Sequence, residues 1–287
     1  MKPDPRFTSM PPAFWAYVRS ISQWVGYTKR ETGTISVPTA SEVRQCLTAL
    51  TLSTAPVLGP GGQFTDFGEK LHSYFVHRAD ILNRQVEPAL MKAEEAAELF
   101  QVVRKELDSS LIVPFNKQKG EKKKEAYFTG LVHMLVEASR KKYSCNYDPR
   151  VLTAFTKEGV PVRTMSRRVD GAFPSVINPV AIWEIKEYYY TTTFGSRVAD
   201  GVYETQLDGM ELEEMRVAEG LDVKHYLFLD AHYTWWKCGK SYLCRIFDMV
   251  HMRLVDEVIV GRDVLTRVPT LVEEWIGILK SRKSSES

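Results

Sequence analysis

The first third of the chain repeats its apolar residues every three or four positions, whereas the second half carries them in short unbroken runs. Phe14, Trp15, Val18, Ile21, Trp24 and Val25 share one face of a helix. Thr39 or Ser41 caps a second helix, and Thr65 a third with Phe67, Leu71, Tyr74 and Phe75 on its apolar face. Between these two lies a loop built on Pro56, Gly59, Pro60, Gly61 and Gly62. Residues 90–107 read as a charged, alanine-rich helix, a solvated connector. A lysine cluster over 117–124 follows and marks a boundary. The expected organisation is a mainly helical subdomain over 1–112 and an α/β domain over 113–287.

Within the second part, residues 121–140 have helical spacing, with Phe128, Leu131, Val132, Leu135 and Val136 inward. Residues 151–156 and 162–173 read as strands. Val180 to Trp183 is a β-branched and aromatic run opened by Asn178-Pro179, too short for a helix and suited to a central strand buried on both faces. A helix over 198–219, a strand from His225 to Asp230, and helices over 242–255 and 271–279 complete the pattern. The order is helix, three strands, helix, strand.

Two charges break the apolar rule at the end of the Val180 run. Glu184 and Lys186 share one strand face, while Trp183 and Ile185 point the other way. Charges there are costly unless paired or given a metal. If the preceding strand turns at Pro174 and returns antiparallel, Asp170 approaches Glu184. Two neighbouring carboxylates repel, and a divalent cation relieves them. An oxygen-only donor set favours Mg²⁺, with Mn²⁺ able to substitute, over zinc. Lys186 is placed to orient or deprotonate a water, or to stabilise charge on a phosphate.

Asp170, thirteen intervening residues, and then Glu184-Ile185-Lys186 resemble the signature of the PD-(D/E)XK nucleases, the superfamily of many type II restriction endonucleases. Val169 stands where that signature has proline. The resemblance implies a restriction-endonuclease-like core, a central mixed sheet flanked by helices in the order αβββαβ. It also implies Mg²⁺-dependent hydrolysis of DNA phosphodiesters, with Asp170, Glu184 and the backbone carbonyl of Ile185 as metal ligands. Glu125, on the same expected helix face as Phe128 and Val132, takes the place of a further metal or water contact, with Glu121 as its rival. Gln206 falls where some members carry a glutamine near the DNA backbone. A sequence-specific restriction endonuclease acting as a homodimer on double-stranded DNA is the first expectation. A structure-specific repair or anti-phage defence nuclease is the second, and a non-catalytic winged-helix DNA-binding protein the third.

Charge and composition narrow this only slightly. A net charge of +2 over 287 residues neither demands nor excludes a polyanionic partner, so any DNA surface depends on placement. Candidate phosphate contacts are Lys122 and Lys123 in the lysine loop, Arg197 after the Tyr188–Thr193 segment, and Arg168 with Arg163 and Arg167. The segment from residue 39 to Arg78 is similar to winged helix-turn-helix modules, which would make Arg44 a DNA contact. Four cysteines, Cys46, Cys145, Cys238 and Cys244, form no C-x-x-C pair and are expected to be free thiols. No secretory leader or membrane-length apolar run is visible, so a cytoplasmic protein is expected.

Overall fold

The structure, a computed structural model, describes residues 1–29, 31–116, 120, 123–190 and 195–285, without the side chains of 196, 197 and 283–285. The apolar spacing of the first third becomes α1 (Pro12–Val25), α2 (Ala40–Ala49) and α3 (Asp66–Ile81). Thr39 and Glu42 cap α2 reciprocally, each side chain accepting from the other's backbone N–H. The Thr65 hydroxyl caps α3 by accepting from the Gly68 N–H at 3.1 Å. A π-helical turn, Leu82–Val86, carries α3 into the short α4 (Glu87–Ala89).

Then follow α5 (Ala93–Glu106), α6 (Tyr127–Ser139), β1 (Asn146–Tyr147), β2 (Ala154–Lys157), β3 (Val160–Thr164), β4 (Gly171–Phe173) and β5 (Ala181–Glu187). The chain closes with α7 (Ser196–Glu219), β6 (Lys224–Asp230), α8 (Lys240–His251), β7 (Glu257–Val260) and α9 (Val264–Ser285). Five strands make a mixed sheet in the order β1-β4-β5-β6-β7, and β2 and β3 pair separately as a hairpin. β4 runs antiparallel to β1 and β5, while β5, β6 and β7 are parallel. Helices α7 and α8 supply the crossovers that parallel neighbours require.

Period-two alternation sorts the sheet's side chains onto two faces. On one, Ala181, Trp183, Tyr226 and Phe228 pack with α5, α6 and α9. Trp183 stacks on Trp275 of α9 with ring centres 5.3 Å apart and planes 11° from parallel. On the other, Ile182 meets Leu212 and Met215 of α7. Leu227, Leu229, Val258 and Val260 share a cluster with α8 and the first three helices. That cluster runs unbroken from Phe14 and Tyr74 to Leu243 and Phe247, so the helical first third is packed onto the sheet. A buried ion pair lies within it: Arg78 Nη1 donates to Asp248 Oδ1 at 3.2 Å, and the Tyr74 hydroxyl donates to the same oxygen at 2.6 Å. Burial of the pair is eased by further hydrogen bonds, with Arg78 Nη2 donating to the Ser22 hydroxyl at 2.9 Å, although Arg78 Nε has no partner among the described residues.

Several expected elements differ. Residues 162–173 are not one strand: β3 ends at Thr164, and the chain turns before β4 begins at Gly171. Met165 and Val169 are buried on either side of that turn, which leaves Arg167 to reach α7. Helix α6 begins at Tyr127, because residues 123–126 fold back on 114–116: Ala126 N–H donates to Pro114 C=O and Asn116 N–H to Lys124 C=O. α5 is no solvated connector, since Ala96, Phe100 and Val103 are buried in the cluster shared with α6. β7 holds only three apolar residues, Val258 to Val260, behind a buried Glu257, and the apolar pattern does not announce it as a strand. The first third carries only isolated bridges, Thr28 with Ile35 and Leu58 with Phe64, among the described residues. Among those residues, too, no helix is long and apolar enough to cross a membrane.

Asp230 ties the end of β6 to the start of α5. Its Oδ1 accepts from the N–H groups of Met91 at 2.7 Å and Ala231 at 2.8 Å, and its Oδ2 accepts from the Tyr189 hydroxyl. Burial pushes this carboxyl up from 3.8 to about 7, against those hydrogen bonds. The folded state therefore holds the proton after the unfolded chain has lost it, and stability falls as pH rises from 3.8 toward about 7. Asp230→Asn is expected to flatten that decline in urea midpoints measured across this range. A slope unchanged from wild type would show that Asp230 does not titrate there.

Candidate active site

The C-terminal end of β5 is where the sheet turns polar. Antiparallel pairing of β4 with β5 puts Gly171 opposite Trp183, so Asp170, one residue before β4, lies beside Glu184. The Asp170 N–H donates to the Trp183 carbonyl at 3.1 Å and to Glu184 Oε1 at 3.2 Å. In return, Asp170 Oδ2 accepts from the Ile185 N–H at 2.9 Å. Because the N–H and C=O of one strand residue face the same neighbour, the Ile185 carbonyl is directed to the side from which Asp170 reaches. Lys186 Nζ donates to Glu184 Oε2 at 2.9 Å. Asp170, Glu184, Ile185 and Lys186 all line one cleft of about 340 Å³.

Glu184 and Lys186 are buried, and a second set of charges holds them. Arg167 Nη2 donates to Glu184 Oε2 at 2.9 Å and to Glu204 Oε2 at 3.3 Å, while its Nη1 donates to Asp208 Oδ2 at 2.6 Å. Glu204 also accepts from Lys186 Nζ at 2.7 Å. Glu204 and Asp208, four residues apart on α7, present one helix face to the site. Burial alone would raise the Glu184 carboxyl, but Lys186 and Arg167 hold it below its ordinary value. Burial alone would likewise depress Lys186, but Glu184 and its other neighbours hold the ammonium well above its ordinary value. Both are ionised, and Lys186 in this setting is a fixed positive charge, not a base. Asp208 goes the other way: burial, then Glu184, push it up to about 7, and its Oδ1 has no hydrogen-bond partner among the described residues.

The donor set suits a hard divalent ion. Asp170 and Glu184 offer carboxylate oxygens and Ile185 a carbonyl, with Glu184 Oε1 turned toward Asp170. Among the described residues, no three His, Cys, Asp or Glu side chains group tightly enough to hold a metal by themselves.

Other expected site residues are scattered. Glu125 precedes α6 and pairs with Phe115 in an isolated bridge, yet it lines the cleft. Gln206 faces a different cleft beside α1 and α8. Arg168 is exposed, and Arg44 of α2 rests against the Gly62 turn. Lys123 stacks its ammonium 4.3 Å from the Phe115 ring centre. Lys117, Lys119, Glu121, Lys122, Thr191, Thr192, Thr193 and the side chain of Arg197 lie outside the described residues. Arg167, grouped with surface arginines in the sequence, is instead half-buried at the centre of the site. Glu187 is part-buried in the cleft wall, accepts from Thr129 N–H at 2.9 Å and Oγ1 at 2.8 Å, and is pushed up to about 7 by burial. His133 lines the cleft from α6; burial lowers it to about 4, and its Nε2 has no partner among the described residues. Glu204 and Asp208 carried no signal beyond helical spacing.

The model of a family described as Domain of unknown function (DUF7687) matches residues 91–275, which includes the entire cleft. A second, Domain of unknown function (DUF7690), matches residues 1–85. No curated protein and no solved structure matches the chain.

Gly171 explains why glycine follows Asp170. A Cβ at this position would stand 2.0 Å from the Trp183 indole. Gly171→Ala is expected to push β4 off β5 and lower unfolding free energy by about 1–3 kcal/mol, as overpacking does. Denaturant titration measures this, and a stability equal to wild type would contradict the packing described.

Proposed function

We propose that this chain, which belongs to the family Domain of unknown function (DUF7687), is a metal-dependent endodeoxyribonuclease of the PD-(D/E)XK type. The observation that carries the reading is the meeting of Asp170, Glu184 and Lys186 in one cleft, joined through Asp170 N–H to Glu184 Oε1 and Lys186 Nζ to Glu184 Oε2. The element order supports it. Counting only strands of the main sheet, α6 is followed by β1, β4 and β5, then α7, then β6, with the β2–β3 hairpin inserted and β7 added.

Asp170, Glu184 and the Ile185 carbonyl would hold Mg²⁺ or Mn²⁺. Such an ion, when bound, supplies Lewis-acid polarisation of a phosphate and lowers the pKa of a water. The protein's own groups do the rest. Lys186, held protonated, faces the cleft as a fixed positive charge for the negative charge that builds on a phosphate during hydrolysis. Arg167 engages Oε2 of Glu184, which keeps Oε1 turned toward Asp170. Glu204 holds Lys186 from α7, and Asp208 holds Arg167, so neither cation needs to be positioned during the reaction. Such preorganisation is the usual main source of rate enhancement for slow phosphate chemistry.

Asp170→Asn and Lys186→Ala are each expected to lower Mg²⁺-dependent cleavage of mixed-sequence DNA by about 10²-fold or more. DNA binding in Ca²⁺ should persist in both. Titration calorimetry with Mn²⁺ adds a readout independent of turnover: Asp170→Asn should lose the metal-binding heat, and Lys186→Ala should keep it. Sequenced fragment ends separate a sequence-specific enzyme, which gives discrete bands, from a structure-specific one. Cleavage at wild-type rate by either variant removes the nuclease reading. Specific DNA binding with no cleavage under any divalent metal favours a binding protein instead.

A further inference from the structure

A second cleft, of about 420 Å³, opens between α1, α7 and α8. It lies where the two matched segments meet, since α1 falls within residues 1–85 and α7 and α8 within 91–275. Each side contributes an arginine, Arg19 from α1 and Arg245 from α8. The carboxylate in its wall, Asp248, is already engaged by the Tyr74 hydroxyl at 2.6 Å and Arg78 Nη1 at 3.2 Å. Among the described residues, neither Arg19 nor Arg245 has an ion-pair partner. Arg19, Arg78 and Arg245 against Asp248 leave two positive charges in excess. Asp248 offsets only part of this charge, and the planar forks of the two guanidinium groups at the cleft suit phosphate oxygens.

The aromatic residues match that charge. The Arg245 guanidinium lies 5.9 Å from the Tyr27 ring centre and 5.3 Å from that of Tyr242. Tyr203 is exposed at the rim, and Gln206 supplies an amide one turn along α7. A phosphate between arginines, with ring faces and an amide alongside, is the lining that a nucleotide requires.

We propose that this cleft seats one nucleotide unit, its phosphate between Arg19 and Arg245 and its base against Tyr203. The unit comes either from a nucleic-acid strand or from a free nucleotide, and the first source rests on the nuclease reading. α7 carries both clefts: Asp200 and Glu204 line the first, Tyr203 and Gln206 the second. A strand held here would be anchored on the same helix that fixes Lys186.

Fluorescence anisotropy tests the site in EDTA, where nothing is cut. The probes are labelled oligonucleotides, single- and double-stranded, and a labelled nucleoside monophosphate. Arg19→Ala combined with Arg245→Ala is expected to weaken oligonucleotide binding at least tenfold and to reduce the salt slope by about 0.7 for a lost single-strand phosphate contact. Arg245→Lys should restore part of the affinity, and Tyr203→Ala should weaken it without changing the salt slope. These responses together support the strand. Monophosphate binding lost in the double variant, without oligonucleotide binding by the wild type, supports the free nucleotide while counting against the nuclease reading. Equal affinity of wild type and double variant for every probe, or no binding of any probe by the wild type, overturns the site. Cleavage of DNA by the double variant at wild-type rate would meanwhile leave the nuclease reading standing.

Discussion

A carboxylate buried at the end of a strand survives as an anion only while cations are held against it, and Glu184 has two. Lys186 comes from its own strand and Arg167 from the turn before β4, both 2.9 Å from the same oxygen. Desolvating one carboxylate costs several kcal/mol, and a single ion pair seldom recovers all of that. The second tier of acids on α7 changes the balance. Glu204 contacts both cations and Asp208 contacts Arg167, so the cluster is a network in which Glu184, Glu204, Lys186 and Arg167 each have more than one partner. The position of α7 against the sheet and the ionisation of Glu184 thus depend on each other. Removing Arg167 would leave Asp208 as well as Glu184 short of a counter-charge.

The remainder of the fold places that network. One sheet face is closed by α5, α6 and α9 around Trp183 and Trp275, which fixes the outward direction of Glu184 and Lys186 by the strand's period of two. The other face is covered by α8 and the first three helices, leaving the C-terminal end of β5 open between α7 and the segment before α6. The first third is therefore a structural part of the sheet's packing as well as a wall of the second cleft. Its buried Arg78–Asp248 pair joins α3 to α8 at the centre of the shared core.

Much of this is legible in the residues themselves, and the part that is not has a physical cause. Val180 to Trp183 announces a doubly buried strand, and Glu184 and Lys186 stand out because charges are rare at its end. Asp170 follows once β4 is read as the antiparallel neighbour. Helix caps at Thr39 and Thr65 are local, a few residues each, and they are found where the sequence puts them. What one strand of text does not carry is the partnership between distant segments. Arg167 looks like any arginine beside Arg168 until α7 is laid across the sheet; Glu204 and Asp208 look like solvated helix charges for the same reason. The start of α6 was misplaced because the backbone of residues 123–126 pairs with 114–116, a tertiary contact that overrides helical spacing. β7 goes unannounced because only three apolar residues, Val258 to Val260, follow Glu257, too short a run to show a period.

An amine acts as a base only if its surroundings favour the neutral form, which isolation in an apolar pocket would do. Here burial is outweighed by Glu184 and its acidic neighbours, so the proton stays. Of the roles open to a lysine at this place, water activation by direct deprotonation is the one its environment opposes, and charge stabilisation is the one it favours. Burial lowers His133 on the cleft wall to about 4 and raises Glu187 there to about 7. The cleft's other lining acids, Glu125, Asp148 and Asp200, join Asp170, Glu184 and Glu204, so among the described residues carboxylates outnumber Arg167 and Lys186, an excess that a divalent cation would offset.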